Sequence, residues 1–215
     1  MTQRPPPEAH SLALPGEGGK LIAPSAERNL GPIRDLLVAI APRKGRALEL
    51  ASGTGQQIVR YAQAFPGLDW QPTDLDPERL ASIEAWRLAE GTENLRPPVA
   101  LNAADPDWPE RHGPADMILL VNLLHLISDA EAEAVLTGIA RALAPGGTAF
   151  LYGPFLRDGT ATSEGDARFH ASLRAQDPAI GYKDLGWVRD RLAPLASSVT
   201  EMPANNLMLI ARAPV

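Results

Sequence analysis

The stretch Arg46–Gln57, R-A-L-E-L-A-S-G-T-G-Q-Q, constrains this chain more than any other. Ala47, Leu48 and Leu50 are apolar around a single acid, Glu49, and small residues then fall at alternate places, Ala51, Gly53 and Gly55. Ile58, Tyr61, Ala62 and Phe65 follow at i, i+3, i+4, i+7, the spacing of one helix face. The pattern predicts a strand, a tight turn and a helix. Small residues let a ligand lie close against the turn, where the free N–H groups of the helix start can face it.

The rest of the chain repeats this alternation. Gly31 and Pro32 read as a helix start, and Ile33, Leu36, Leu37 and Ile40 carry an apolar face toward Ala41-Pro42. A second strand is predicted over Leu68–Thr73, ending at Asp74. Asp76-Pro77 then supplies an N-cap and a first-turn proline. Pro98–Asn102 reads as a short third strand. Asp116–Val121 is an apolar run suited to a strand buried on both faces, and it ends at Asn122. Ser128 and Glu131 form a capping box, and the helix they open runs to Pro145-Gly146-Gly147 before a strand over Thr148–Tyr152. Helices holding Phe169 and Leu173, then Leu185, Val188 and Leu192, lead to strands near Ser198–Met202 and Leu207–Ala213. Alternating strands and helices imply a parallel α/β sheet. Residues 1–20, rich in proline and glycine, read as a loose N-terminal arm or a strap, and 21–215 as one domain.

Two ligand classes use such a turn. The dinucleotide fingerprint G-x-G-x-x-G needs a third glycine for close helix–strand packing, and that position is Ile58 here, which disfavours a nicotinamide oxidoreductase. The spacing E-x-A-x-G-x-G instead resembles motif I of the class I S-adenosylmethionine (SAM)-dependent methyltransferases, with Ala51 in place of the usual first glycine. The order of elements over roughly residues 30–213, and the helix followed by P-G-G, resemble the same superfamily. Within it, S-A-E-R-N-L-G-P-I, E-L-A-S-G-T-G-Q, A-S-I-E-A-W, L-Y-G-P-F and M-P-A-N-N-L resemble a methyltransferase-like family without an assigned substrate. The resemblance implies a Rossmann-like, doubly wound, seven-stranded sheet, mostly parallel with an antiparallel C-terminal strand.

It also implies roles. Glu49 would help position the cofactor's methionine end, and Ala51, Ser52, Gly53 and Gly55 would line its backbone-facing side. Asp74, 19 residues beyond Gly55, stands where an acid accepts hydrogen bonds from a ribose, with Leu75 beside it. Asn102 and Ala103 stand where the adenine amino group is received, Asp105 taking that role if the register shifts. Asn122 ends the strand that borders both cofactor and acceptor. His125 has the intrinsic pKa of a general base, and its structural alternative is a helix-start histidine packed under the sheet edge. Tyr152 would orient the acceptor. Glu27, Arg28 and Asn29, either a solvated turn or a cover over the cofactor, and the Asn205-Asn206 turn complete the expected acceptor site.

Charge narrows the acceptor. The formal net charge of −6 offers no basic surplus for a phosphate backbone, and the N/D-P-P-Y signature of base amino methylation is missing because Leu123 and Leu124 follow Asn122. A small-molecule acceptor is expected, with no nucleic-acid and no membrane partner. No apolar run reaches the roughly 18 residues of a membrane span. The first residues lack a signal peptide's apolar core, and no cysteine is present, so a cytoplasmic protein is expected. No two of the four histidines stand three or four residues apart, so no metal site is expected. A SAM-binding sensor or scaffold without catalysis is the rival reading, because cofactor motifs and acceptor chemistry are separable.

Overall fold

A computed structural model describes residues 13–215. Leu14–Pro15 (β1) and Leu21–Ile22 (β2) form an antiparallel hairpin. There follow α1 (Pro24–Ile40), β3 (Gly45–Leu50), α2 (Gln56–Ala64), β4 (Leu68–Asp74), α3 (Pro77–Glu90), β5 (Val99–Ala100), α4 (Trp108–His112) and β6 (Ala115–Val121). Then come α5 (Asp129–Ala142), β7 (Leu143–Gly153), β8 (Phe155–Leu156), α6 (Glu164–Gln176), β9 (Lys183–Asp184), α7 (Leu185–Arg191), β10 (Ala196–Glu201) and β11 (Leu207–Arg212).

Seven strands form one sheet in the order β10-β11-β7-β6-β3-β4-β5. The strands β3 to β7 within it are parallel, and β11 is antiparallel to both its neighbours. The expected seven-stranded, mostly parallel, doubly wound sheet is therefore the one observed. From β3 the chain moves outward to β4 and later returns to β3's other side as β6. This reversal opens a crevice at the C-terminal strand ends, where such sheets bind ligands.

The side-chain alternation of the strands divides the core. Leu48, Leu50, Ile118 and Leu120 face Trp108, Leu136, Ile139 and Val188 of α4, α5 and α7. Ala47, Met117, Leu119 and Phe150 face Ile33, Leu37, Ile58, Tyr61 and Trp70 on the other side. Each fully buried large apolar side chain contributes roughly 1.5–3 kcal/mol, so these two layers fix the sheet and its strand ends. A third cluster of Leu173, Ile180 and Tyr182 lies under α6, in which Leu173 alone is buried.

Local chemistry sets the element ends. Asp76 accepts from the Glu78 N–H, and Ser128 and Glu131 make the predicted reciprocal capping box. One expectation is corrected. Gly31-Pro32 does not start a helix: α1 begins at Pro24 and runs through Pro32 to Ile40. Pro24 is the first-turn proline, and Pro32 forgoes the bond its N–H would give to the Arg28 carbonyl. Glu27, Arg28 and Asn29 therefore lie on a helix and not in a turn. Strand β7 also begins earlier than predicted, at Leu143, with Pro145-Gly146-Gly147 inside it. A Cβ at Gly147 would come within 2.9 Å of the Ala115 carbonyl oxygen, so glycine permits that strand approach.

Residues 1–12 of the expected loose arm lie outside the described residues. From residue 13 the chain is tied to α3: the Leu21 N–H donates to Ser82 Oγ at 2.8 Å, Trp86 Nε1–H donates to the Leu21 carbonyl at 3.0 Å, and Lys20 pairs with Glu90 at 3.0 Å.

Candidate functional site

The turn after β3 has three consecutive odd-numbered residues at positive φ: Ala51 (52°), Gly53 (60°) and Gly55 (86°). The Ser52 N–H donates to the Thr73 carbonyl at 2.7 Å, and Ser52 Oγ accepts from the Thr73 N–H at 3.2 Å, which staples the turn to β4. The two glycines do different things. A Cβ at Gly53 would meet nothing within 4 Å, whereas one at Gly55 would lie 2.7 Å from Ile83 Cα. Gly53 faces open space at the C-terminal end of the sheet. Gly55 lets α2 start hard against α3.

Asp74 ends β4 and holds the turn. Oδ2 accepts from the Gly53 N–H at 2.9 Å, and Oδ1 accepts from the N–H groups of Leu75 and Asp76 at 2.8 and 3.0 Å. Burial raises its pKa, opposed by these three backbone donors and by Arg79. A carboxylate has about four lone-pair positions, so one remains free for a hydroxyl. Leu75 beside it is an exposed large apolar side chain at 45%, a surface on which a flat ring can lie. Asn102 Oδ1 accepts from the Ala104 N–H at 3.0 Å, and the Ala103 carbonyl accepts from Trp108 Nε1–H at 2.9 Å. Asp105 accepts from the Asp107 N–H and pairs with Arg111.

Behind the turn stands Glu49, 2% exposed, with Oε2 making no hydrogen bond. Burial pushes its pKa up to about 8; Ser52 opposes this and Asp74 adds to it. The start of α1 closes over this region. The Ala23 N–H donates to Gln56 Oε1 at 2.7 Å, Gln56 Nε2 donates to Glu27 Oε2 at 3.2 Å, and Gln57 Nε2 donates to the Ala26 carbonyl at 3.1 Å. Gln56 and Gln57 were not singled out from the sequence. Their signal was two glutamines at a helix start that the apolar pattern would not have buried, and both are buried.

The β6 and β7 ends form the other wall. Asn122 (φ 56°) donates its N–H to the Tyr152 carbonyl at 2.9 Å, and Tyr152 Oη donates to Asn29 Oδ1 at 3.2 Å. Burial pushes the Tyr152 phenol up to about 12, so at neutral pH it keeps its proton and acts as a donor. His125 sits in a short 3₁₀ turn, Leu124–Leu126, and is 3% exposed. It lies beside the end of β7, where a Cβ at Gly153 would come within 3.9 Å of its Nδ1, and against rings from a later segment. Phe169 lies 6.1 Å away and Tyr182 5.9 Å away, both edge-on, and 5.9 Å from one another.

The chain after β7 is more than a helical crossover. β8 and β9 pair in a parallel two-residue ladder, and Asp166 in the first turn of α6 collects three donors: Ser163 Oγ at 2.7 Å, Asn205 Nδ2 at 3.0 Å and Tyr182 Oη at 3.3 Å. Asn205 thus reaches α6, while Asn206 Nδ2 turns back to the Pro203 carbonyl at 3.0 Å. The bonds of these two asparagines go to α6 and to their own turn, not to Glu27–Asn29. Among the described residues no group of three His, Asp, Glu or Cys side chains could hold a metal ion.

Known proteins carry the same architecture. An O-methyltransferase family protein from Burkholderia thailandensis superposes with a TM-score of 0.74 at 21% identity, covering 87% of this chain and 57% of that one. Human N-acetylserotonin methyltransferase, solved with SAM, gives 0.72 at 17% identity, over 89% of this chain and 54% of that one. In sequence, the O-methyltransferase fsr2 of Gibberella fujikuroi (strain CBS 195.34 / IMI 58289 / NRRL A-6831) is 28% identical over 134 residues, 62% of this chain and 33% of that protein. The chain spans little more than half the length of the solved relatives, and its match to fsr2 covers a third of that protein. The fold is that of class I SAM-dependent methyltransferases. By a family model that matches residues 20–213, the chain belongs to the family described as "Protein of unknown function (DUF938)".

Proposed function

We propose that this protein transfers the methyl group of SAM to a hydroxyl oxygen of a small molecule. The observation that carries the reading is the turn itself: Gly53 opens to space, Asp74 keeps one lone pair beside it, and a buried Glu49 oxygen lacks a partner behind it. Those features suit an adenosine bearing an amino-acid tail. Asp74 would take a ribose hydroxyl, Leu75 would pack on adenine with Asn102 and Ala103 at its edge, and Glu49 would sit toward the methionine end. The sulfonium supplies an activated methyl group.

What remains for the chain is placement and one proton. Holding an acceptor oxygen in line with the S–CH₃ bond can contribute roughly 7–11 kcal/mol. His125 is the base of this reading, fixed by the edges of Phe169 and Tyr182, and would take the acceptor hydroxyl's proton as the C–O bond forms. Tyr152, protonated and joined to Asn29, would donate to the acceptor or hold α1 over it. The net charge of −6 supports a small acceptor over nucleic acid, and the lack of cysteine sets no demand for an oxidising compartment, consistent with a cytoplasmic setting. Among the described residues no helix is long and apolar enough to cross a membrane.

One observation favours a second reading. His125 lies under two rings and is almost inaccessible, as it would be in a SAM-binding sensor that transfers nothing. Incubation with methyl-labelled SAM and a panel of small hydroxylated compounds separates the two. Label should pass to product in step with S-adenosylhomocysteine release, and His125→Ala should abolish transfer while keeping S-adenosylhomocysteine affinity within about threefold, under roughly 0.7 kcal/mol. Tight S-adenosylhomocysteine binding with no labelled product from any compound would favour the sensor. Tight NAD binding with no response to S-adenosylhomocysteine would end both.

A further inference from the structure

Tyr61 is a buried tyrosine whose ring is explained and whose hydroxyl is not. It lies on the inner face of α2 with 0% exposure, its ring stacked on Trp70 at 6.1 Å and 28°. The hydroxyl makes no hydrogen bond. A phenylalanine would pack there equally well and would spare the penalty of an unsatisfied buried hydroxyl.

Its surroundings indicate what the oxygen is for. Tyr61, Ala47, Phe150 and Tyr152 belong to one core layer, and Glu49, two residues on from Ala47 in β3, faces the same side. Glu49 Oε2 is also buried without a hydrogen bond. Glu49 and Tyr152 both raise the Tyr61 pKa, after burial itself, so each lies within electrostatic reach of the Tyr61 hydroxyl. Trp70 Nε1 is unpartnered in the same layer, but an indole N–H can only donate. Two lone-pair-bearing oxygens, Tyr61 Oη and Glu49 Oε2, lack a donor; an ammonium group brings three donors and a positive charge that would draw Glu49, held neutral by burial at neutral pH, into its carboxylate form. The first turn of α2 has no side-chain cap, leaving its N–H groups for a neighbouring carboxylate.

We propose that the Tyr61 hydroxyl and the Glu49 carboxylate together receive the α-ammonium group of the cofactor's amino-acid end, Tyr61 being a cofactor-binding residue of this chain. The inference rests on the SAM reading above and adds the residue that distinguishes the amino-acid end from the nucleoside end.

The test compares two nucleosides by calorimetry: S-adenosylhomocysteine, which has the amino-acid end, and 5′-deoxy-5′-methylthioadenosine, which lacks it. Tyr61→Phe should weaken S-adenosylhomocysteine binding about tenfold or more, the effect of a lost hydrogen bond to a charged group. Methylthioadenosine affinity should stay unchanged, and the melting temperature of the cofactor-free protein should hold or rise. Equal S-adenosylhomocysteine affinities in wild type and Tyr61→Phe overturn the inference and leave the cofactor reading standing. Equal losses for both nucleosides also overturn it, because they mark a packing role. Wild-type protein that binds neither nucleoside overturns the cofactor reading and this inference with it. Should Tyr61→Phe not fold, Glu49→Gln read with the same two nucleosides must show the same selective loss.

Discussion

The two ends of the crevice are built differently. On the turn side, Ser52, Asp74, Gln56 and Gln57 spend their polar atoms on bonds to the surrounding backbone and, for Gln56, also to Glu27, and most of these groups are buried. On the α6 side, a helix with one buried residue is held by a half-buried carboxylate hub, Asp166, and by three edge-on rings. The first end is preorganised and the second is lightly anchored. On the proposed reading a cofactor common to many enzymes would suit the rigid end and an acceptor that enters and leaves the other, because lightly packed elements open at lower free energy.

Substitution at the two turn glycines should separate packing from ligand contact, and it carries the largest expected effect. Gly55→Ala puts a methyl 2.7 Å from Ile83 Cα at φ 86°. Overpacking costs about 1–3 kcal/mol and the left-handed backbone about 1–2 more, so a loss of about 2–5 kcal/mol in urea unfolding is expected. Gly53→Ala meets no atom within 4 Å and should cost only about 1–2 kcal/mol, showing instead in S-adenosylhomocysteine affinity. Equal stabilities for the two variants would mean that the turn is not the rigid end.

Asp74 tests whether that rigid end serves the cofactor or only itself. Its carboxylate binds three backbone N–H groups, so stability will not be untouched, as a simple strand-end position would have suggested. Asp74→Asn should lower S-adenosylhomocysteine affinity by about 1.5–3 kcal/mol, the range for bonds to a charged group, alongside a smaller stability loss. Calorimetry on the folded variant decides it: unchanged affinity would show that another residue holds the ribose.

The same contrast governs how much could be read from the sequence. Turn and strand-end positions impose residue types locally, so Gly53, Asp74, Asp76 and the Ser128–Glu131 box were legible from spacing. The start of α1 was not, because Gly31-Pro32 carries the same signals as the true start at Pro24. β8 and β9 are two residues each, too short for any periodicity. The Asp166 hub joins residues up to 39 apart, and an ordinary helix-start aspartate gives no hint of it. Tyr61 was visible only as an apolar position, since helical spacing reports that a ring is buried and is silent about its hydroxyl.

The smallest expected effect lies at Asn205, on the lightly anchored side. Asn205 occupies the left-handed region at φ 59°, so alanine would add backbone strain to the loss of its amide. Asn205→Gly keeps the turn and removes only the bond to Asp166, which retains Ser163 and Tyr182. Because Asn205 is exposed, water replaces part of what is lost, and the change should lie at the low end of about 0.5–1.5 kcal/mol. If α6 covers the acceptor, that loss should appear as a two- to threefold change in acceptor KM or turnover (under about 0.7 kcal/mol), with S-adenosylhomocysteine affinity unmoved. A variant that instead loses cofactor affinity and keeps acceptor kinetics would tie the Asn205 turn to the rigid end and dissolve the distinction between the two.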